Sequence, residues 1–295
     1  MVVVLSYFNL KACCLMFLLC AVTHGAKGAD IVRMNDQSSE YKISVLTLAL
    51  EKTQALYGSF EIKVADIPTT TKRALLEVSS GKTINLFIAV TTKEWEQKTL
   101  PIRIPIRRGI LSYRLLAVNK NALNKFSKVK HIQDLKKLAA GVRVGWATAD
   151  IFNAQNFSLY QLESIEGLYN MLDREAIDYI PRGINQVYND IAIRQPNNLM
   201  VEPNLVLYLP APTYIMVSPN EKRLAERIEL GLEKMVSDGS LKAMFYRFYG
   251  DFINRTDISS RRIINIPNLS QPQTIPFARP ELWFQHDPEN QNILN

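Results

Sequence analysis

Residues 86–118 read LFIAVTTKEWEQKTLPIRIPIRRGILSYRLLAV, and the break inside this stretch decides the fold. The run Ile84–Val90 is short and continuously apolar, as a strand buried on both faces must be. Pro101–Ile106 is extended and punctuated by proline, which denies it a helix. Leu111–Val118 then reads as a longer strand. A strand–helix series ends at this break and a second one begins after it.

Working outward toward the N-terminus, Tyr41–Tyr57 crowds Val45, Leu46, Leu48, Ala49 and Leu50 on one side at helical spacing, and Gly58 stops it. Phe60, Ile62 and Val64 alternate as a half-buried strand does. Thr70–Ser79 is a second helix, closed by Gly81. Toward the C-terminus the spacing predicts a basic helix over Lys128–Ala140, a strand over Val142–Trp146, and a helix over Ala149–Asn156 capped by Thr148. A helix over Glu163–Leu172, a strand over Ile177–Ile180 and a helix over Gly183–Ile193 follow. Val206–Tyr208 and Tyr214–Val217 are strands around Pro210 and Pro212, and Glu221–Val236 and Ser240–Phe252 are helices separated by Asp238-Gly239.

Alternating strands and helices imply an α/β fold. The interruption divides it into two lobes, with two mainly parallel sheets flanked by helices and a hinge of two crossover strands. The first lobe takes residues 29–112 and 213–262, the second residues 113–212. Residues 263–295 are rich in Pro, Asn and Gln and lack a period, so they are expected to form an irregular strap anchored by Phe277, Trp283 or Phe284. Open α/β sheets bind ligands at the carboxyl ends of their strands. Two such edges facing across a hinge make a closing cleft.

The 295 residues are 47% hydrophobic and 21% charged, a balance that excludes a largely disordered chain. The net charge of +7 comes without a dense basic block, which argues against nucleic acid. All three cysteines, Cys13, Cys14 and Cys20, lie near the N-terminus, and the histidines are His24, His131 and His286. A zinc finger, a Cys–His nucleophile pair and a disulfide framework are therefore excluded, and no metal or other cofactor is called for.

The apolar run Ala12–Val22 follows Lys11 and precedes the small residues Gly25, Ala26 and Gly28. At roughly 11 residues it is too short to span a bilayer as a helix, and its three-part plan is that of a secretory signal peptide covering residues 1–28. An uncleaved anchor using Val2–Val22 is the other reading. Cleavage after Gly28 would remove every cysteine, and with Lys11 and Lys27 two charges, leaving a thiol-free exported chain of +5 expected in the periplasm.

The order of these elements resembles that of the family 3 extracellular solute-binding proteins, in particular their divergent transporter substrate-binding domain members. The resemblance is carried by the quoted run into the strand SYRLLAV, the segments IQDLKKLAAGVRVGW (132–146) and LYNMLDREAIDYI (168–180), and the ending IELGLEKMVSDGSLKAMFYRFYG (228–250). It extends to about Asp257. It implies a periplasmic-binding-protein fold and a monomer that closes on a small-molecule solute and hands it to the membrane permease of an ABC transporter, or presents it to a sensor.

The residues by which that family holds amino acids are replaced here. The resemblance places a carboxylate-binding arginine in the turn after Ile84–Val90, where Thr92 is followed by Trp95. It places an amine-binding carboxylate after Ile177–Ile180, where the chain reads Pro181-Arg182-Gly183. The candidate ligand contacts are Trp95 and Trp146, large flat surfaces at the ends of strands from different lobes, Arg182, a guanidinium able to fork onto an anion, and Thr148 with the free N–H groups of its loop. Arg103, beside the hinge, is the fifth. Packing for the tryptophans, solvation for Arg103, and a salt bridge from Arg182 to Asp150, Glu202 or another local acid are the alternatives. With no carboxylate beside Gly183, the expected solute is anionic rather than a plain α-amino acid. Two further readings are an exported enzyme on this fold, similar to the cyclohexadienyl dehydratases and using Glu94, Glu96 or Asp150, and an interaction protein whose cleft is filled by Trp95 and Trp146.

Overall fold

A computed structural model describes residues 29–35, 39–65, 70–194 and 198–285; the signal-peptide reading of residues 1–28 lies outside them. Twelve strands are described: β1 (Asp30–Met34), β2 (Phe60–Val64), β3 (Leu86–Val90), β4 (Leu100–Ile102), β5 (Tyr113–Asn119), β6 (Ala140–Arg143), β7 (Leu159–Leu162), β8 (Tyr179–Gly183), β9 (Leu199–Val201), β10 (Leu205–Tyr208), β11 (Thr213–Val217) and β12 (Arg262–Asn265).

One sheet has the order β3-β11-β4, and the pair β1-β2 lies beside it. The buried Asn85 stitches the two together: its backbone N–H donates to Arg33 O (2.9 Å) and its side chain to Ile31 O (2.8 Å), while Arg33 N–H donates to Asn85 Oδ1 (2.7 Å). The other sheet runs β12-β10-β5-β8-β6-β7, with β9 also on β5. The sheets, expected to be mainly parallel, are mixed in direction, and the mixture has a simple source. Every antiparallel pairing involves β5 or β11; β1-β2, β6-β7, β6-β8 and β10-β12 are parallel.

β5 and β11 are also where the chain arrives from the other lobe. The linking segments 103–112 and 209–212 run side by side, with Leu209 N–H on Ser112 O (2.8 Å), Ala211 N–H on Ser112 Oγ (3.1 Å) and Ile106 N–H on Thr213 O (3.1 Å). The run LLAV in β5 is apolar throughout because both faces of its sheet are covered. Leu115 and Ala117 join the core that includes Leu168 and Leu172, whereas Leu116 and Val118 join Phe126 and Phe152. The alternation is the period of two expected of a strand.

In the other lobe the helix Lys222–Ser237 packs on Glu40–Glu51 at Gly231, where a Cβ would stand 2.1 Å from Ala49 O. Arg227 on the same helix is fully buried, yet its guanidinium is satisfied by Asp30 Oδ2 (2.7 Å), Gly58 O (2.8 Å), Leu50 O and Ser59 O. Among the described residues no helix is long and apolar enough to cross a membrane.

Three further expectations are corrected. The helix expected over Lys128–Ala140 is one turn, Ile132–Leu135. The Asp134 carboxylate accepts the N–H groups of Lys130 and His131, fixing the start, and Asp178 accepts Ala139 N–H (2.7 Å), drawing the chain into β6. The strand expected to end at Ile180 continues through Gly183, so Arg182 lies within β8, paired with Leu115. The irregular strap begins as the regular strand β12, parallel to β10. Beyond it, Leu282, Trp283 and Phe284 are buried and Phe277 stacks on Trp283 at 5.1 Å. Arg108 fixes this end, accepting Phe284 N–H at its carbonyl (2.7 Å) and donating to the carbonyls of Glu281 and Trp283.

Candidate functional site

A cleft of about 490 Å³ lies between β3, on one side, and β5, β8 and the segment Gly145–Thr148 on the other. Four of the five residues singled out from sequence line it: Trp95, Trp146, Thr148 and Arg182. Their roles differ from those expected.

Trp95 is on the short helix Lys93–Lys98, whose first turn is fixed by Thr92 Oγ1 accepting Trp95 N–H (3.2 Å). Its indole is stacked on Phe87, with centroids 5.6 Å apart and planes 8° from parallel. It is only 3% exposed and packs with Leu75, Val78 and Met216. Trp95 is thus a wall built into one lobe, and the cleft is not filled by it.

Trp146 sits at the N-cap of the helix Ala147–Ala154 with no side-chain cap bond, and β6 ends earlier, at Arg143. Thr148 is therefore inside the helix and does not cap it. It is buried.

Arg182 lies with its guanidinium 4.5 Å over the Trp146 ring. Its Nε donates to Asp190 Oδ2 at 2.5 Å, and the Tyr169 hydroxyl donates to the same oxygen (3.3 Å). Arg182 therefore has the salt bridge to a local acid that is the alternative to a ligand contact; the acid is Asp190, not the named Asp150 or Glu202. Arg103 stands apart. It is exposed and absent from the cleft wall, where Nε and Nη2 both donate to Glu96 Oε2 (3.1 and 2.9 Å).

The sequence reading missed the residue that most distinguishes the cleft, Arg114. It stands on β5 opposite Gly183 and lines the cleft near Arg182. Its Nε is buried without a hydrogen-bond partner, and among the described residues its guanidinium pairs with no carboxylate. Burial, and secondarily the positive charge of Arg182, push its pKa down to about 10. Asn185 Oδ1 and Thr213 Oγ1, also in the cleft wall, are likewise buried without partners. An arginine set directly before the apolar run LLAV was the available signal, because a charged residue in a strand covered on both faces needs a reason.

The wall also carries Arg107, which donates to the Tyr249 hydroxyl (2.8 Å), and Lys42. Of these four cations Arg182 is already paired with Asp190, and the carboxylate among the described residues of the wall itself is Asp150, which is exposed. Glu94 is exposed and hydrogen-bonded to Lys98 (2.7 Å), which holds its carboxyl below the usual range. Glu96 is occupied by Arg103 and by the hydroxyls of Thr91 and Thr274. Among the described residues no group of three His, Cys, Asp or Glu could hold a metal ion.

No family model and no curated protein matches the sequence. Solved structures match in fold. An amino-acid ABC transporter substrate-binding protein from Streptococcus pneumoniae, bound to L-arginine, superposes with a TM-score of 0.51 at 15% identity, covering 75% of this chain and 93% of that one. A Bacillus subtilis protein gives 0.51 at 18% identity, covering 81% and 97%. An ancestral amino-acid-binding protein described as a precursor of cyclohexadienyl dehydratase gives 0.50 at 14%, covering 75% and 94%. The chain has the two-lobed α/β periplasmic-binding-protein-like fold, which it shares with these structures.

Proposed function

We propose that this chain is an exported, monomeric solute-binding protein that closes its two lobes on a small anion and delivers it to an ABC-type permease or a sensor. The observation that carries the reading is Arg114: a half-buried arginine whose Nε is buried without a partner and whose guanidinium has no counter-ion among the described residues, beside a second arginine in the wall of the cleft. Leaving such a charge unpaired is costly, and an anion supplied by the solute would offset that cost. The planar fork of arginine suits a carboxylate or phosphate. Asn185 Oδ1 and Thr213 Oγ1 then offer acceptors to hydroxyl or amide groups on the solute. A ligand ammonium has only the exposed Asp150 to meet it among the described wall residues, which disfavours plain α-amino acids.

Titration calorimetry of the chain against a panel of carboxylates, phosphates, sugars and amino acids tests the proposal. Anions should bind the wild type, with Arg114→Met weakening them tenfold or more. Tight binding of a neutral sugar or a basic amino acid, unaffected by that substitution, would overturn it.

A further inference from the structure

The C-terminal segment contributes to the cleft itself. A second chamber of about 420 Å³ adjoins the first, sharing Val90, Thr92, Ala147 and Asp150 with it. Its remaining side is made by residues 268–270, beyond β12. We propose that Asn268–Ser270 form the end wall of the binding site and set the length of an aliphatic anion whose charged head lies at Arg114; this rests on the anion-binding reading above.

Three observations lead there. The wall segment is held from both lobes rather than draped. Gln155 Nε2 donates to Pro267 O (2.8 Å), Asn268 Nδ2 to Pro210 O (2.9 Å), and Thr274 Oγ1 to Glu96 Oε2 (2.6 Å). Asn268 Oδ1 accepts Ser270 N–H (3.1 Å), so the chain turns tightly at the chamber and the position of Leu269 is fixed by local bonds. Second, Val90, Ala147, Ile151 and Leu269 bring aliphatic groups to the chamber from all three of its sides, with the charged Lys93, Glu94 and Asp150 at the same wall. Third, Leu269 is 62% exposed although both its neighbours are tied down. A large apolar side chain presented at the outer end of a cationic cleft suits a ligand with one charged and one hydrocarbon end.

The test is calorimetric titration of the full chain with straight-chain monocarboxylates of increasing length, acetate through decanoate, on the wild type and on Leu269→Asp and Leu269→Trp. Leu269 is exposed, so both variants should fold. Affinity should rise about tenfold or more from butanoate to octanoate as methylenes leave water. Leu269→Asp should abolish the rise, and Leu269→Trp should shorten the preferred chain. A flat length series with short anions still binding would overturn the end wall and leave the Arg114 reading intact. Stronger binding of an α,ω-dicarboxylate than of the monocarboxylate of equal length would also overturn it. Failure of every anion to bind would overturn both.

Discussion

The guanidinium of Arg182 lies 4.5 Å from the centroid of the Trp146 ring, so a strand and a helix start on the same lobe are joined by a cation–π contact in the cleft wall. The Nε of the same guanidinium donates to Asp190 (2.5 Å). Arg182 is therefore structural as well as available to a ligand. Arg182→Ala should lower stability by about 1–3 kcal/mol, since it leaves the largely buried Asp190 without its cationic partner and with only the Tyr169 hydroxyl donating to it, and should weaken anion binding as well. A melting temperature equal to that of the wild type would contradict this.

Arg114 predicts the opposite pattern. With no counter-ion to lose, Arg114→Met should leave the melting temperature of the unliganded protein unchanged or raise it, because a half-buried charge with an unpartnered buried Nε is exchanged for an apolar side chain of similar reach. The same change should cost an anion about 1.4 kcal/mol or more, a tenfold loss. Paired melting and calorimetric measurements on this variant and Arg182→Ala separate the two roles.

The docking of the C-terminal segment on Gly109 is open to a direct test. Gly109 has φ +72°, and a Cβ there would stand 2.6 Å from Trp283 Cε3. Gly109→Ala should therefore displace the indole as well as strain the backbone. Trp283→Ala should cost about 3–5 kcal/mol, the usual range for emptying a buried aromatic site. Urea denaturation of both variants, followed by tryptophan fluorescence, checks this; midpoints unchanged from the wild type would show that the segment is not docked through Trp283.

Asp238 supplies a pH signature. Its carboxylate accepts from Lys52 Nζ (2.5 Å) and from Ser240, which lower its pKa to about 2 from 3.8. A depressed folded-state pKa contributes stability above the unfolded value, and that contribution is lost as pH falls through the folded value. The stability difference between wild type and Asp238→Asn should be constant above pH about 5 and shrink between about 4 and 2. Acid titration of the two proteins by circular dichroism measures it.

The parts of the fold legible in the sequence are those with a local period. The helix Lys222–Ser237 and the apolar run of β5 announce themselves because burial on one stripe, or on both faces, dictates composition. The site was less legible because its bonds are not local. Arg114 meets Gly183 only through the β5–β8 register. Asp190 reaches Arg182 from the following helix, eight residues on, whereas the sequence alone named only Asp150 and Glu202 among the local acids it allowed. The tail hid its contacts for a related reason: Asn268 meets Pro210, Thr274 meets Glu96, Arg279 meets Glu233 and Trp283 lies against Gly109, so no repeat forms.

The placement of β12 also orders events in time. β10 carries β5 on one edge and β12 on the other, and the residues paired at the outer edge, Leu205 with Arg262 and Tyr208 with Asn265, are separated by two long helices. Until those helices have been synthesised, the outer edge of β10 presents bare amide and carbonyl groups. A chain released or cleaved before residue 262 would therefore carry an open strand edge able to recruit a neighbour, and aggregation of such fragments, rather than simple loss of binding, is the hazard this topology creates.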